Sequence, residues 1–525
     1  GEDAFDSTGY YYDDSNWEND VLYIDNCLVN TRNTISGDYT IKDGIITVAD
    51  GALSYCYNLT GITIPNSVTS IGYAAFNACE ALASITLGNG VTSIGQGAFY
   101  GCTSLTDITI PKSVMRIGDD AFGSCNMLAS IDVAADNPDY LSEDGVLFNK
   151  DKTRLIQYPI GNSRTSYTVP VGVTSIGAYA FSACEFLTDV TINTGVTNID
   201  LEAFSYCENL TGINLPDSVT SIGFDAFKYT GYFNDDSNWE NDVLYIGNHL
   251  IMANDSLSGN YAIKDGTITV ADEAFYFCKN LTGITVPNSL KAIGGYAFYN
   301  CFNLISITLP DSVSFIGAWA FYGTGYYNDN SNWEDGALYI GNHLIRVAPS
   351  LVGDYVIKDG TITIGGEALY NCILTGVTVP KSVANIGWWV FYLCTNLTEI
   401  EVADDNPNFS SEDGVLFNKD KTTLLQYPLG NARTSYTVPV GVTKIAFGAF
   451  ESCTSLTEVI VPDSVTDIDY CAFYNCSNLT SITIPESVAS IGYEVFIGCD
   501  SLTIFGVPGS YAETYANENN INFSA

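Results

Sequence analysis

Apolar residues recur along this chain with a period of 23 residues, far longer than a helix or strand period. Residues 98–122, AFYGCTSLTDITIPKSVMRIGDDAF, form one copy. The segment 105–110 ends in apolar residues that alternate with threonine, which predicts a strand with one buried face. A second, shorter extended segment is predicted at 114–117. Over 119–122 we expect a single turn of 3₁₀- or α-helix, because this segment is too short for a stable helix.

The same pattern occurs sixteen times, counted on the residue that closes each copy. These residues are Phe5, Leu53, Phe76, Phe99, Phe122, Phe181, Phe204, Phe227, Phe275, Phe298, Phe321, Leu369, Phe391, Phe450, Phe473 and Phe496. Successive members are 23 residues apart, except for one interval of 22, three of 48 and two of 59. A fixed period of this length is the signature of a solenoid, in which each copy buries the apolar face of its neighbour.

The longer intervals contain insertions that are themselves copied. The 48-residue intervals carry DDSNWENDVLYIDNCLV, DDSNWENDVLYIGNHLI and DNSNWEDGALYIGNHLI, and the 59-residue intervals carry DGVLFNKDKTRLIQYP and DGVLFNKDKTTLLQYP. Each contains two alternating apolar runs joined by a turn signal, which predicts a β-hairpin. The predicted insertions lie near residues 10–35, 136–165, 232–258, 326–352 and 405–434.

Residues 1–525 are therefore predicted to form one strongly β-rich, α/β-type solenoid. Aligning the copies gives about 18 parallel strands, in a sheet roughly 80 Å long at about 4.8 Å per strand. Phe5 lies inside a copy, so the sequence is expected to start mid-repeat and to come from a longer chain. Residues 505–525 are expected to cap the core, because Ser510 and Glu513 have the spacing of a capping box before a short helix. A last strand is predicted at 521–523.

The aligned copies give the consensus LTxIxIPxSVTxIGxxAFxxC, which resembles the BspA-type leucine-rich repeat of bacterial surface proteins. The resemblance covers nearly the whole chain, including both kinds of insertion and the closing GSYAETYANENNINF. It implies a leucine-rich-repeat solenoid that is secreted or anchored at the bacterial cell surface. It also implies adhesion to host matrix proteins, to other bacteria or to epithelium. The family has no shared catalytic motif, so the resemblance transfers no catalytic or cofactor-binding residue.

Acidic residues outnumber basic ones by sixty to nineteen, which gives a formal net charge of −41. A nucleic-acid-binding protein needs a basic stripe, and an anionic membrane surface repels such a chain, so neither partner is expected. No run of 18 or more apolar residues is present, so no segment is predicted to cross a bilayer. The charge favours a solvated surface suited to an extracellular protein over specific recognition of a cationic partner. A monomer is expected.

Most of the fifteen cysteines follow the repeat. Thirteen lie three residues after the phenylalanine position: Cys56, Cys79, Cys102, Cys125, Cys184, Cys207, Cys278, Cys301, Cys372, Cys394, Cys453, Cys476 and Cys499. The other three copies have threonine there, each at the start of a 48-residue interval. Since a free thiol behaves as a small buried hydrophobe, this ladder is predicted to be packing rather than a disulfide or zinc framework. Cys27 and Cys471 lie outside the ladder and are candidates for reactivity.

Catalytic chemistry is not indicated. No GxSxG, HExxH, P-loop or dinucleotide-binding motif occurs, so a non-enzymatic protein without cofactor or metal is predicted. The histidines, His249 and His343, occupy matching insertion positions where the third copy has Cys27, an exchange that a catalytic base does not tolerate. The acidic DDSN and DNSN turns offer oxygen ligands for calcium but lack the EF-hand spacing, so turn formation is favoured.

The strand positions that would line a concave floor are small and polar. They are Gly61, Thr63, Ser84, Thr86, Asp107, Thr109, Gly283, Thr285, Ser306, Thr308, Ser481 and Thr483. Binding hot spots favour Trp, Tyr and Arg, so this floor is predicted to be a poor recognition surface.

The insertions instead place aromatic residues beside acidic ones. The candidate partner-binding residues are Tyr11, Trp17, Tyr232, Trp239, Tyr326 and Trp333, although for the tryptophans the favoured interpretation is that they pin each insertion to the solenoid. We predict a non-enzymatic, adhesin-like extracellular protein that binds a host or microbial protein or a glycan. Two alternatives stay open: an architectural spacer within a larger surface protein, and a carbohydrate-binding module that uses the insertion aromatics.

Overall fold

A computed structural model shows stacked turns of parallel strands and describes residues 8–492, 494–519 and 521–525. The chain divides into two compact units, Gly1–Met252 and Ala253–Ala525. Phe5, the first predicted member of the phenylalanine position, lies outside the described residues. A single solenoid domain over 1–525 stays a prediction.

Each turn contributes one strand from its LTxIxI segment. In Asp107–Ile110 the two isoleucines are buried, and Asp107 and Thr109, which alternate with them, are exposed, as the alternation predicted. In the first unit these strands are Ser36–Thr40, Asn58–Thr63, Ser84–Thr86, Asp107–Ile110, Ser130–Val133, Ser166–Thr168, Asp189–Thr191 and Gly212–Asn214. In the second unit they are Ser258–Ala262, Asn280–Thr285, Ser306–Thr308, Gly353–Val356, Leu374–Val379, Glu399–Val402, Ser435–Thr437, Glu458–Ile460, Ser481–Thr483, Thr503–Phe505 and Asn522–Ser524.

A second strand of two residues follows in each turn, and Arg116–Ile117 confirms the extended segment predicted at 114–117. In the first unit these strands are Thr47–Val48, Ser70–Ile71, Ser93–Ile94, Arg116–Ile117, Ser175–Ile176, Asn198–Ile199 and Ser221–Ile222. In the second unit they are Thr269–Val270, Ala292–Ile293, Phe315–Ile316, Thr363–Ile364, Asn385–Ile386, Lys444–Ile445, Asp467–Ile468 and Ser490–Ile491.

The strand number and continuity differ from the prediction. Within the described residues the LTxIxI strands number nineteen rather than about 18, and they form six separate sheets instead of one. Three of the four breaks inside the units fall where an insertion separates neighbouring strands, for example between Ser130–Val133 and Ser166–Thr168. Inserted residues therefore interrupt the hydrogen-bond ladder that the uninterrupted repeats would continue.

The third side of each turn is not the predicted helical turn. Residues two before and two after the core phenylalanine have left-handed backbones, such as Ala74 (φ 49°) and Ala78 (φ 56°) around Phe76. Left-handed residues cannot continue a right-handed helix. The backbone bonds to the next turn instead, with Phe76 N donating to Ala98 O at 2.7 Å. The segment 119–122 is likewise a run of turns.

The phenylalanines stack on one another along each run of uninterrupted repeats. In the first unit the ring centroids of Phe181 and Phe204 are 4.8 Å apart, and those of Phe204 and Phe227 are 5.3 Å apart. In the second unit Phe450 and Phe473 are 4.7 Å apart. Each buried phenylalanine side chain contributes about 1.5–3 kcal/mol of hydrophobic stabilisation, which is available only when neighbouring turns are present.

The cysteine ladder packs beside this stack. All thirteen ladder cysteines are buried free thiols, which confirms the packing prediction. The thiol also reaches back to a carbonyl of the preceding turn: Cys125 Sγ donates to Phe99 O at 3.1 Å, and Cys476 Sγ donates to Phe450 O at 2.9 Å. Of the two cysteines outside the ladder, Cys27 is half-buried, whereas Cys471 is buried and so does not fit its predicted reactivity.

The insertions are larger than the predicted two-stranded hairpins. Each 48-residue interval begins with a four-residue helix (Gly9–Tyr12, Gly231–Asn234, Gly325–Asn328) and a 3₁₀ turn (Asp14–Asn16, Asp236–Asn238, Asn330–Asn332). Three strands follow: Trp17–Glu18, Val21–Ile24 and Cys27–Thr31; Trp239–Glu240, Val243–Ile246 and His249–Ala253; Trp333–Glu334, Ala337–Ile340 and His343–Val347. Each 59-residue interval also has three: Tyr140–Glu143, Val146–Asn149 and Arg154–Gln157; Phe409–Glu412, Val415–Asn418 and Thr423–Gln426.

The last strand of an insertion belongs to the solenoid itself. Arg154–Gln157 pairs antiparallel within its insertion but parallel with Ser175–Ile176 of the next turn. Tyr158 then stacks on Phe181 at 5.2 Å, taking the phenylalanine position of an additional turn. Tyr427 does the same in the second unit. A search for phenylalanine at a fixed interval misses these turns because their core residue is a tyrosine.

The predicted C-terminal cap is confirmed. Tyr511–Glu518 is a helix, and Ser510 Oγ accepts a hydrogen bond from Glu513 N at 3.4 Å. The strand Asn522–Ser524 then pairs parallel with Thr503–Phe505. Together they cover apolar residues that would otherwise lie at an open end.

The predicted floor positions are mostly exposed, including Thr86 and Thr308, but Gly61 and Gly283 are buried. Each of these glycines is covered by one side chain of the preceding turn. For Gly61 it is Asp38, whose Oδ1 would lie only 2.6 Å from a Cβ on the glycine. Ser481 is half-buried.

Replacing one stacked ring should loosen the protein locally. We expect Phe204→Ala to cost about 3–5 kcal/mol, because it leaves a cavity between two rings. Hydrogen exchange should accelerate first over 181–227, since each turn contacts only its neighbours. Uniform acceleration along the chain would contradict nearest-neighbour stabilisation.

The ladder thiols should be unreactive in the folded protein. Burial raises the pKa of Cys102 and of Cys301 to about 12, so little thiolate forms there near neutral pH. A water-soluble thiol reagent should modify Cys27 first and titrate all fifteen cysteines only after denaturation. Stoichiometric zinc, or a deficit of thiols in the denatured protein, would show that the ladder is not simple packing.

Candidate functional site

The insertion tryptophans hold each short helix against the first strand. In every copy the indole Nε1 donates at 2.8 Å to a carbonyl of that helix: Trp17 to Tyr11 O, Trp239 to Phe233 O and Trp333 to Tyr327 O. Each indole also packs edge-on against the ring of the same residue. These contacts support the structural alternative for the tryptophans.

The candidate tyrosines do not occupy equivalent positions. Tyr232 and Tyr326 match each other, and their hydroxyls donate to carbonyls of the adjacent strand at 3.0 and 3.1 Å. Tyr11 lies one position later and packs against its tryptophan. In the first insertion the exposed rings are Tyr10 and Tyr12, at 45% and 70% exposure.

Threonine replaces cysteine before each 48-residue insertion for a hydrogen-bonding reason. Thr230 Oγ1 donates to Phe227 O at 2.9 Å and accepts from Phe233 N at 3.0 Å, which caps the helix Gly231–Asn234. Thr324 makes the matching pair of bonds. A thiol is a weak acceptor, so the cap needs a hydroxyl.

The acidic residues cap their own turns, and turn formation is what the sequence predicted for these segments. Asp13 Oδ1 accepts from Ser15 N at 3.0 Å, and Asp235 Oδ1 accepts from Ser237 N at 2.9 Å. Hydrogen bonds from Ser15 lower the pKa of Asp13. Across the described part of the chain, no group of three or more His, Cys, Asp or Glu side chains is arranged to hold a metal ion.

Both histidines are fully buried. His249 Nε2 lies 3.1 Å from Pro216 O, and His343 Nε2 lies 3.2 Å from Pro310 O. Among the described residues, neither Nδ1 has a hydrogen-bond partner. Burial lowers the pKa of each imidazole, so both rings are held neutral. Their geometry supports a structural role.

A row of aromatic rings crosses five turns of the second unit. It consists of Tyr276, Tyr299, Tyr322, Trp319, Tyr370 and Tyr392, named here the aromatic row. Successive ring centroids lie 5.5, 5.4, 4.9, 5.5 and 5.8 Å apart. Tyr276 and Tyr322 are exposed and the others half-buried. This row was not among the sequence-predicted site residues.

A tryptophan pair lies beside the aromatic row. Trp388 is 62% exposed and contacts Phe315 at 5.6 Å, while Trp389 is 42% exposed and contacts Phe447 at 5.3 Å. Phe447 in turn stacks on Tyr470 at 5.7 Å. The aromatic row together with Phe315, Trp388, Trp389, Phe447 and Tyr470 is called the aromatic surface below.

Glu451 joins the two parts of the aromatic surface. Trp389 hydrogen-bonds to its carboxyl, and burial raises the pKa of Glu451 to about 7. Burial, followed by the charge of Glu451, raises the pKa of Tyr392 at the end of the row. Glu367 has a matching place, where Trp319 hydrogen-bonds to its carboxyl. Trp319 and Trp389 therefore each have a carboxyl beside the indole.

Two residues of the aromatic surface have unfavourable backbones. Trp319 and Trp389 are left-handed, with φ of 55° and 53°. A bulky residue is rarely found there, and Gly97 fills the equivalent position of another turn with φ 58°. The fold thus accepts glycine where these turns carry tryptophan. Other turns also have a left-handed residue at this position, such as Ala74, Glu202 and Tyr296, so this backbone is a property of the repeat.

A family model described as "BspA type Leucine rich repeat region (6 copies)" matches residues 25–143, 161–261, 245–346, 332–413 and 430–522. The chain belongs to the BspA-type leucine-rich repeat family. This match confirms the resemblance carried by the consensus. No curated protein matches this BspA-type chain.

Several solved structures are similar to the BspA-type chain. A leucine-rich repeat protein from Eubacterium ventriosum is 28% identical over 57% of this chain and 86% of its own, with a TM-score of 0.37. The pneumococcal vaccine antigen PcpA is 16% identical over 92% and 72%, with a TM-score of 0.29. A leucine rich cell surface protein from Faecalibacterium prausnitzii is 19% identical over 97% and 97%, with a TM-score of 0.22.

The helices within the described residues are all too short or too polar to cross a membrane.

The buried histidines make the insertions sensitive to acid. Because the folded pKa of His343 lies below its unfolded value, the unfolded chain binds more protons and stability falls as pH drops below about 6.5. We expect hydrogen-exchange protection over 337–347 to decrease in that range. His343→Cys introduces the residue that the first insertion has at Cys27, and it should reduce the pH dependence of this protection. An equal loss of protection in this variant would assign the acid sensitivity to other groups.

Proposed function

We propose that this BspA-type protein is a non-enzymatic, adhesin-like protein of the bacterial cell surface that binds a host or microbial protein. The observation that carries the proposal is the aromatic surface of the second unit. Tyrosine and tryptophan dominate binding hot spots, and here they are held by the repeat backbone in fixed relative positions. Family membership supports the surface location.

Ring geometry favours a protein partner over a glycan. The planes of Tyr276 and Tyr299 are 11° apart, and those of Tyr299 and Tyr322 are 21° apart. Neighbouring rings in this part of the row therefore cover each other's faces, and their edges are left for contact. Sugar rings stack on open aromatic faces, whereas a polypeptide also uses aromatic edges and hydroxyls.

The insertion residues predicted from sequence stay candidates for a second contact. Trp17, Trp239 and Trp333 have a structural task, so replacing them would disturb the insertion as well as any interface. Tyr12 is the better probe in the first insertion because it is 70% exposed.

Binding to a panel of immobilised matrix proteins and bacterial surface proteins, with a glycan array beside it, tests the proposal. Tyr276→Ser with Tyr322→Ser should weaken binding by at least about tenfold, since aromatic hot spots often contribute about 2 kcal/mol or more. Thr86→Ser with Thr308→Ser, on the exposed floor, is the matched control and should change little.

Three results would contradict this function. Binding to glycans alone would favour the carbohydrate-binding alternative, and absence of binding to any protein would favour the spacer. Equal loss in the floor control would place the interface on the LTxIxI strands instead.

A further inference from the structure

The second unit already shows what its aromatic row can hold. Arg346 is only 5% exposed, and its guanidinium carbon lies 5.3 Å from the ring centre of Trp319 and 5.7 Å from that of Tyr370. Its nitrogens donate to Glu367 O at 2.6 Å and to Tyr370 O at 2.8 Å. The row therefore accommodates a guanidinium between two of its rings.

The same arrangement recurs away from the row. Arg32 lies over Trp17, 4.6 Å from the ring centre, and forms an ion pair with Asp14. Lys358 lies 5.7 Å from the ring centre of Tyr339 and 3.3 Å from Glu334. A cation that meets an aromatic face and a carboxylate together gains both contacts. This chain repeatedly places its few cations in such positions.

Charge restricts what can approach the aromatic surface. With sixty acidic and nineteen basic residues, a second copy of this chain would be repelled, as would nucleic acid or an anionic membrane. The sequence contains no lysine or arginine after Lys444, and Lys444 itself is paired with Asp469 at 2.7 Å, next to Tyr470. Glu494, which accepts a hydrogen bond from the Tyr470 hydroxyl at 3.1 Å, adds a further carboxylate there. The surface is thus complementary to a positively charged partner.

We propose that the aromatic surface binds an arginine-rich polypeptide segment, with its guanidinium groups against the exposed rings of Trp388 and Trp389. This proposal rests on the proposed function and specifies the chemistry of its partner. Arginine fits better than lysine because its planar group stacks on rings and is more weakly hydrated. Trp388 and Trp389 offer the largest exposed rings for that contact.

The test uses the full chain and synthetic peptides with four arginines separated by Gly-Ser spacers, with glutamine and lysine versions for comparison. Calorimetry and tryptophan fluorescence should show the arginine peptide binding at least tenfold more tightly than the glutamine peptide. It should also bind more tightly than the lysine peptide. Raising the salt concentration should weaken binding without abolishing it, because ring stacking is less screened than ion pairing.

Substitutions test whether the arginine peptide binds at the tryptophan pair. Trp388→Ser with Trp389→Ser should weaken arginine-peptide binding at least tenfold, whereas Trp388→Phe with Trp389→Phe should retain most of it. Tyr55→Ser with Tyr57→Ser is the matched control, since these rings are each 46% exposed in the first unit. Unchanged binding in the tryptophan-to-serine variant, or equal loss in the control, would overturn the proposal by indicating unspecific charge attraction.

Failure of this inference can be told from failure of the proposed function. If the panel of proteins still binds and Tyr276→Ser with Tyr322→Ser still weakens that binding, but no arginine peptide binds, then the interface exists and its partner is not arginine-rich. A glycan that competes for the tryptophan pair while arginine peptides do not bind would also overturn the inference.

Discussion

Every turn of this protein depends on its neighbours for burial and for backbone hydrogen bonds. A single 23-residue copy has one phenylalanine, a few isoleucines and a cysteine, which is too little apolar surface to fold alone. When turns stack, Phe204 lies between two rings at 4.8 and 5.3 Å, and the backbone on all three sides of the turn bonds to the next. This mutual dependence explains why the period is kept so strictly.

The same dependence explains details that hydrophobicity alone does not. The ladder position takes cysteine where a thiol must donate to the carbonyl of the previous turn, as Cys125 does. It takes threonine where a hydroxyl must also cap a short helix, as at Thr230. The insertions are also tied to the stacked turns, because the last strand of an insertion pairs parallel with a strand of the next turn. Tyr158 and Tyr427 even restore the aromatic stack within the longer intervals.

Stacking also produces the surface to which we assign binding. A residue that appears once per turn becomes part of a row when turns are stacked, so single tyrosines at matching positions become a line of rings in contact. The left-handed backbone on this side directs the chain away from a helix and leaves these side chains at the surface. The floor, built from the same repeats, carries threonine and serine and offers little contact area. Function in such a protein is set by which turn positions carry large residues.

Sequence alone determined the solenoid, the two strands per turn, the buried cysteine ladder and the C-terminal cap, because each follows from a period and from local residue preferences. It did not reveal the turn conformation over 119–122, since left-handed residues such as Ala74 and Glu202 are not types that favour that conformation. It also placed the candidate site on the insertions and missed the aromatic row. Tyr276, Tyr299 and Tyr322 are spaced by the repeat and could have been noticed, but Trp319 and Tyr370 lie 51 residues apart. Only the stacked turns, which bring their rings to 5.5 Å across an insertion, decide that these residues form one surface.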